Sequence, residues 1–153
     1  SSHATLSWPG GTTSIQRFPI VPGGLAGVAA SPQSGWYWNP AEGGRGFAIE
    51  IQNGNIMVAG FMYDAAGRPL WYVSQGPLVA GNPNLYQGQW VEYANGQTLS
   101  GAYKAPLVAN PQAGALVLQF TNAENAILTL PNGQQTALTR FRFAPSQNAV
   151  TGM

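Results

Sequence analysis

The clearest strand–turn–strand pattern in this chain lies in GWYWNPAEGGRGFAIEIQNGNIMVAGFMYDAAGRPLWYVSQG, which runs from Gly35 to Gly76. Within it, Phe47, Ile49 and Ile51 alternate with small or polar residues, a period of two that is typical of a half-buried strand. Asn53-Gly54 follows directly, and both residues tolerate the positive φ that a two-residue hairpin needs. The pattern therefore predicts an antiparallel meander, with strands at about 47–52, 56–63 and 70–75.

Short strands separated by turn residues continue from this meander to Phe143. Asn95-Gly96 and Asn132-Gly133 are predicted turns, and Lys104 to Gln112 is predicted to be a crossing loop because it contains two prolines. The further strands are expected at Leu85–Tyr93, Thr98–Tyr103, Gly114–Thr121, Ala126–Leu130 and Thr136–Phe143. About eight short strands without a helical stretch predict an all-β antiparallel meander, folded as a small barrel or a two-sheet sandwich.

The chain divides into three segments of different composition. Residues 1–34 are rich in proline and glycine and are expected to form an extended N-terminal arm with one short strand. Residues 35–143 form the predicted β domain, and residues 144–153 form a C-terminal tail.

The arm carries more large apolar residues than a solvated linker normally does. We expect it to pack either against its own domain or as an added strand on a neighbouring subunit, and the proline and glycine breaks favour the neighbour. A homo-oligomer or a filament would result. The candidate assembly residues are Ile15, Phe18, Ile20 and Val21.

Charged residues make up only 7% of the chain, and its net charge is +1. Such a chain lacks the basic field that nucleic-acid binding needs. No apolar run approaches the roughly 18 residues of a membrane helix, so no membrane insertion is expected. A weakly charged β protein fits a secreted or cell-surface setting, with its signal peptide presumed removed. The chain has no cysteine, which excludes disulfides and thiolate metal sites.

Residues able to carry catalysis are scarce. His3 is the only histidine, so a serine–histidine nucleophile and a histidine metal site are both excluded. A pair of carboxylates is the remaining route to hydrolysis. Arg45 lies between Glu42 and Glu50 in the sequence and is predicted to pair with one of them. The carboxylates are Glu42, Glu50, Asp64, Glu92 and Glu124. We expect no enzymatic activity, no cofactor and no metal.

Aromatic residues are the strongest functional signal. Tryptophan and tyrosine around a concavity, with polar groups at its rim, are typical of sites for sugars or flat apolar ligands. The alternative is that these rings fill the barrel or cap its ends. The candidate ligand-binding residues are Trp36, Trp38, Arg45, Trp71, Tyr72 and Trp90.

Two motifs, G-W-Y-W-N-P-x-E-G-G-R-G-F-x-I-E at Gly35–Glu50 and Y-D-x-x-G-x-P-x-W-Y at Tyr63–Tyr72, resemble a module that recurs in exported proteins of proteobacteria. A later A-x-L-T-L at Ala126–Leu130 belongs to the same pattern. The resemblance covers most of Gly35 to Phe143 and leaves the arm outside. It implies β architecture and export, and it carries over no catalytic residue.

Three classes of function follow, in order of preference. The first is a non-catalytic structural module that is extracellular or on the cell surface and self-assembles through its N-terminal strand. The second is a binding module for a glycan or a small apolar ligand that uses surface tryptophan and tyrosine. A carboxylate-based hydrolase is third.

Overall fold

Eight antiparallel strands close into a barrel in the computed structural model, which describes residues 3–26 and 31–143. The strands are β1 His3–Trp8, β2 Gly11–Gln16, β3 Gly35–Trp38, β4 Gly46–Gln52, β5 Asn55–Tyr63, β6 Pro69–Pro77, β7 Leu85–Asn95, β8 Pro106–Phe120, β9 Asn125–Thr129 and β10 Gln135–Arg140. Around the barrel the order is β10-β3-β4-β5-β6-β7-β8-β9, so β10 closes onto β3. A separate hairpin of β1 and β2 precedes the barrel. The all-β prediction is confirmed, and the barrel is the alternative that forms.

Local turn chemistry fixes the β4–β5–β6 meander. Asn53 and Gly54 adopt φ values of 47° and 71° between the paired ends of β4 and β5, as the hairpin signal predicted. Between β5 and β6, the Asp64 carboxylate accepts backbone hydrogen bonds from Ala66 and Arg68 at 2.9 and 2.8 Å. The backbone and side-chain hydrogen bonds from Arg68 hold the pKa of Asp64 below its ordinary value.

The second half of the meander differs from the prediction. Residues 98–103 are not a strand, and β8 runs through most of the segment predicted as a loop. Trp90 pairs with Gly114 while Glu92 pairs with Asn110, so β8 bulges between these two positions. Pro111 lies in the bulge, where its missing N–H breaks no ladder bond. Asn95 pairs with Pro106, which makes residues 96–105 the connection instead of a two-residue turn.

Inward-facing side chains fill most of the barrel. Tyr37, Ile56, Leu118 and Leu128 are fully enclosed among them. Burial raises the pKa of Tyr37 to about 12, and its hydroxyl donates a 2.7 Å hydrogen bond to the Gln33 carbonyl. The interior is therefore a packed core over most of its length.

The N-terminal segment contains two strands where one was predicted, and then runs along the outer wall of its own barrel. Ile20 is only 7% exposed there. The Gln52 side chain accepts the Ile20 N–H at 3.0 Å and donates to the Phe18 carbonyl at 2.9 Å. Arg17 forms an ion pair with Glu50 on β4. The predicted tail, residues 144–153, lies outside the described residues.

Candidate binding groove on the barrel wall

Aromatic side chains from several strands meet on the outer wall of the barrel. Tyr37 points into the core, so its neighbours Trp36 and Trp38 must point outward, because successive residues of a strand face opposite sides. Phe61 on β5 pairs directly with Trp71 on β6, and both also face outward. Three strands thus bring together rings that are far apart in the chain.

The rings are packed in pairs across this wall. Trp36 and Phe61 have centroids 5.6 Å apart and planes 22° apart, and Trp71 and Tyr93 are arranged similarly at 5.2 Å and 23°. Gly46 makes the first pair fit, since a Cβ there would lie 2.2 Å from the Trp36 indole. The indole therefore lies against bare backbone, and its position depends on the absence of a side chain on β4.

A groove of about 760 Å³ lies among these rings. This volume is within the range of sites that hold small ligands, which are mostly apolar with a few polar groups. Its lining residues are Trp36, Trp38, Gly44, Arg45, Gly46, Phe61, Met62, Tyr63, Pro69, Leu70, Trp71 and Phe141.

Arg45 supplies the charged group of the groove, and Glu42 holds it in place. The guanidinium pairs with Glu42, which confirms the predicted pairing. The other oxygen of Glu42 accepts hydrogen bonds from Asn39 at 2.9 Å and Thr136 at 3.1 Å. The side chains of Arg45 and Glu42 are 26% and 39% exposed, so the pair belongs nearer to surface ion pairs, worth about 0–1 kcal/mol, than to buried ones.

The structure divides the six predicted ligand-binding residues into two groups. Trp36, Trp38, Arg45 and Trp71 line the outer groove together. Tyr72 and Trp90 face the interior, where they line a smaller pocket at the barrel mouth.

Three further aromatic residues of the groove were not predicted as ligand-binding. They are Phe61, Tyr63 and Phe141. The alternation along the predicted strand 56–63 places Phe61 and Tyr63 on one face, so this signal was present in the sequence. Phe141 reaches the groove only because β10 pairs with β3.

The four predicted assembly residues lie in different surroundings. Ile20 is buried against its own barrel, while Ile15 and Phe18 are exposed and Val21 is half-buried.

Glu50 and Glu92 lie on different faces of the sheet. Glu50 faces outward and pairs with Arg17. Glu92 is opposite the inward-facing Tyr72 across β6 and β7, so it lies on the other side of the wall. In residues 3–26 and 31–143, no group of histidine, aspartate and glutamate is placed to hold a metal ion. No helix in this described part is long and apolar enough to cross a membrane.

Comparison with known proteins adds no relative. No family model matches the chain, and no curated protein or solved structure matches it.

Proposed function

We propose that this chain is a non-catalytic binding module, and that its outer groove takes a neutral saccharide in an extracellular or cell-surface setting. The groove of about 760 Å³ on the barrel wall, with Trp36, Phe61 and Trp71 along it, carries this proposal. Rings of this kind offer apolar surface to the C–H faces of a sugar, while indole N–H groups and Arg45 can donate to its hydroxyls.

The charge balance supports a neutral ligand. Arg45 is the charged side chain that lines the groove, and Glu42 compensates it. An acidic saccharide would have to compete with Glu42 for the guanidinium, and a basic ligand would find no free carboxylate there. The low charge of the whole chain agrees with recognition by stacking and neutral hydrogen bonds.

Replacing Trp71 by alanine should weaken saccharide binding at least about tenfold, since hot-spot aromatic residues contribute about 2 kcal/mol or more to binding. Isothermal titration calorimetry against neutral and acidic oligosaccharides measures this. Tyr103→Ala is the matched control, because this exposed tyrosine lies outside the groove. If no oligosaccharide binds, or if Trp71→Ala binds as tightly as the native chain, the proposal is wrong.

We also propose a second function, self-assembly through the N-terminal hairpin. The β1–β2 ribbon has one apolar and one polar face, and its register places Leu6 and Ile15 on the apolar side, each 45% exposed. A two-stranded hairpin on its own is only marginally stable in water. Its strands contain no proline or acidic residue that would discourage pairing with another edge. A second copy of the hairpin, packed on this face, would cover it.

The double substitution Leu6→Ser and Ile15→Ser should abolish self-association while the barrel keeps its melting temperature. Light scattering after size-exclusion chromatography, over a range of concentrations, measures the mass. The control exchanges Thr5 and Ser14 on the polar face for alanine and should leave the mass unchanged. A native chain that stays monomeric at the highest concentration would contradict this proposal. The substitutions are confined to the hairpin because Ile20 is buried against the outer wall of its own barrel.

A further inference from the structure

A second, smaller pocket opens inside the barrel at its mouth. Its volume is about 180 Å³. Met62 lines both this pocket and the saccharide groove, but the aromatic residues of the two sites are different, so the inference below does not rest on the function proposed above. The lining residues are Phe47, Met62, Tyr72, Trp90, Ala113, Leu130 and Pro131.

Three aromatic rings form one side of this pocket. Trp90 stands between the other two, with its centroid 6.4 Å from Phe47 and 6.3 Å from Tyr72. The planes of Phe47 and Trp90 are only 29° apart, whereas Tyr72 is inclined by 58° to Trp90, so the three rings do not form one flat stack. Phe47 and Trp90 are almost fully buried in the core, which makes these walls rigid and preformed.

Glu92 places a negative charge next to Tyr72, one of the lining residues, without itself lining the pocket. It pairs directly with Tyr72 across β6 and β7, so the two side chains share the inward face. Burial raises the pKa of Tyr72, and the charge of Glu92 raises it further. The Glu92 carboxylate is therefore close enough to Tyr72 for its charge to attract a cation bound beside the Tyr72 ring.

Among the residues that the structure describes, Glu92 differs from the other carboxylates in forming no ion pair. Glu42, Glu50, Asp64 and Glu124 each form an ion pair with arginine. Within the described ranges, Glu92 takes part in no ion pair and no side-chain hydrogen bond. A lone carboxylate beside aromatic faces is complementary to a cation with an apolar surface.

We propose that the mouth pocket binds the ammonium head of a small organic cation, of the quaternary or methylated-amine class. Aromatic faces attract such cations through their negative quadrupole, and the attraction grows when the site is desolvated. An apolar cavity of about 150 Å³ holds a molecule of benzene, so this pocket has room for a trimethylammonium group. Phe47, Tyr72 and Trp90 provide the aromatic walls, and Glu92 provides the counter-charge.

Choline and its neutral carbon isostere, 3,3-dimethylbutan-1-ol, test the proposal because they share shape and differ in charge. Calorimetry on the full chain should show choline binding at least about tenfold more tightly than the isostere. Tyr72→Leu should weaken choline binding, whereas Tyr103→Leu on the exposed surface should not change it. Equal affinity for choline and the isostere, or binding of neither, would overturn the proposal.

The variant Glu92→Gln keeps the shape of the side chain and removes its charge. It should abolish the preference for choline and leave the weaker affinity for the isostere unchanged. Its melting temperature shows whether the barrel is intact, and isostere binding reports the pocket itself. A preference that survives in Glu92→Gln would contradict the role assigned to this carboxylate.

Discussion

Replacing Leu118 by alanine lowers the free energy of unfolding by about 2–5 kcal/mol, the usual cost of truncating a fully buried leucine. Leu118 is 0% exposed. On the adjacent strands of the sheet it pairs with Tyr86 on β7 and with Leu128 on β9, and both of these residues are also buried. These neighbours belong to separate strands of a closed sheet, so they cannot move together easily to fill the cavity. The loss is a large part of the roughly 5–15 kcal/mol that stabilises a typical domain. Urea denaturation followed by tryptophan fluorescence measures it.

Leu107 provides the control on the same strand. It is 57% exposed, because the first half of β8 extends beyond the core, and its replacement by alanine should change stability by less than about 0.5 kcal/mol. If Leu107→Ala and Leu118→Ala cost the same, the described placement of β8 would be wrong, or its projecting half would be covered in solution.

Replacing Gln52 by leucine releases the N-terminal segment from the barrel wall. The Gln52 amide accepts the buried Ile20 N–H and donates to the Phe18 carbonyl, and leucine can do neither. Each buried backbone group left without a partner costs about 1–3 kcal/mol. The Gln52 amide also donates to Glu50 at 2.8 Å, so the carboxylate that binds Arg17 loses its orientation as well. The N-terminal segment should therefore detach from the barrel wall far more often in the variant.

Trypsin reports this opening, because Arg17 is a cleavage site directly before the anchored residues. Cleavage after Arg17 should accelerate at least about tenfold in Gln52→Leu, equivalent to about 1.4 kcal/mol of lost local stability. Gln87→Leu, at an exposed position on β7, is the control and should leave the rate unchanged. An unaltered rate in Gln52→Leu would mean that other contacts hold the segment.

Short-range sequence patterns were sufficient to predict the strands and turns of the first meander. The alternation around Ile49 specifies which residues face inward, and Asn53-Gly54 specifies a turn through its own backbone preferences. A pairing of Arg45 with Glu42 or Glu50 was also predictable, since both lie near it in the sequence, and the structure shows that Glu42 is the partner. In each of these cases the interaction is encoded within a few residues.

Longer-range features could not be predicted from the sequence because they depend on residues that are distant in the chain. The bulge that accommodates Pro111 exists only in the register of β8 against β7. Alternation indicates that Trp71 and Tyr72 face opposite sides of the sheet, but it does not say which side is the core. Trp71 faces solvent, and Tyr72 contributes to the interior pocket.

The sequence by itself therefore determined the all-β class, the hairpin at Asn53-Gly54 and the set of aromatic residues available for binding. The tertiary structure decided that Trp36, Phe61 and Phe141 share one groove, and that Ile20 packs against the outer wall of its own barrel. The physical reason is the closure of the sheet: pairing β10 with β3 joins distant segments, and that pairing is favoured by the burial of all eight strands together.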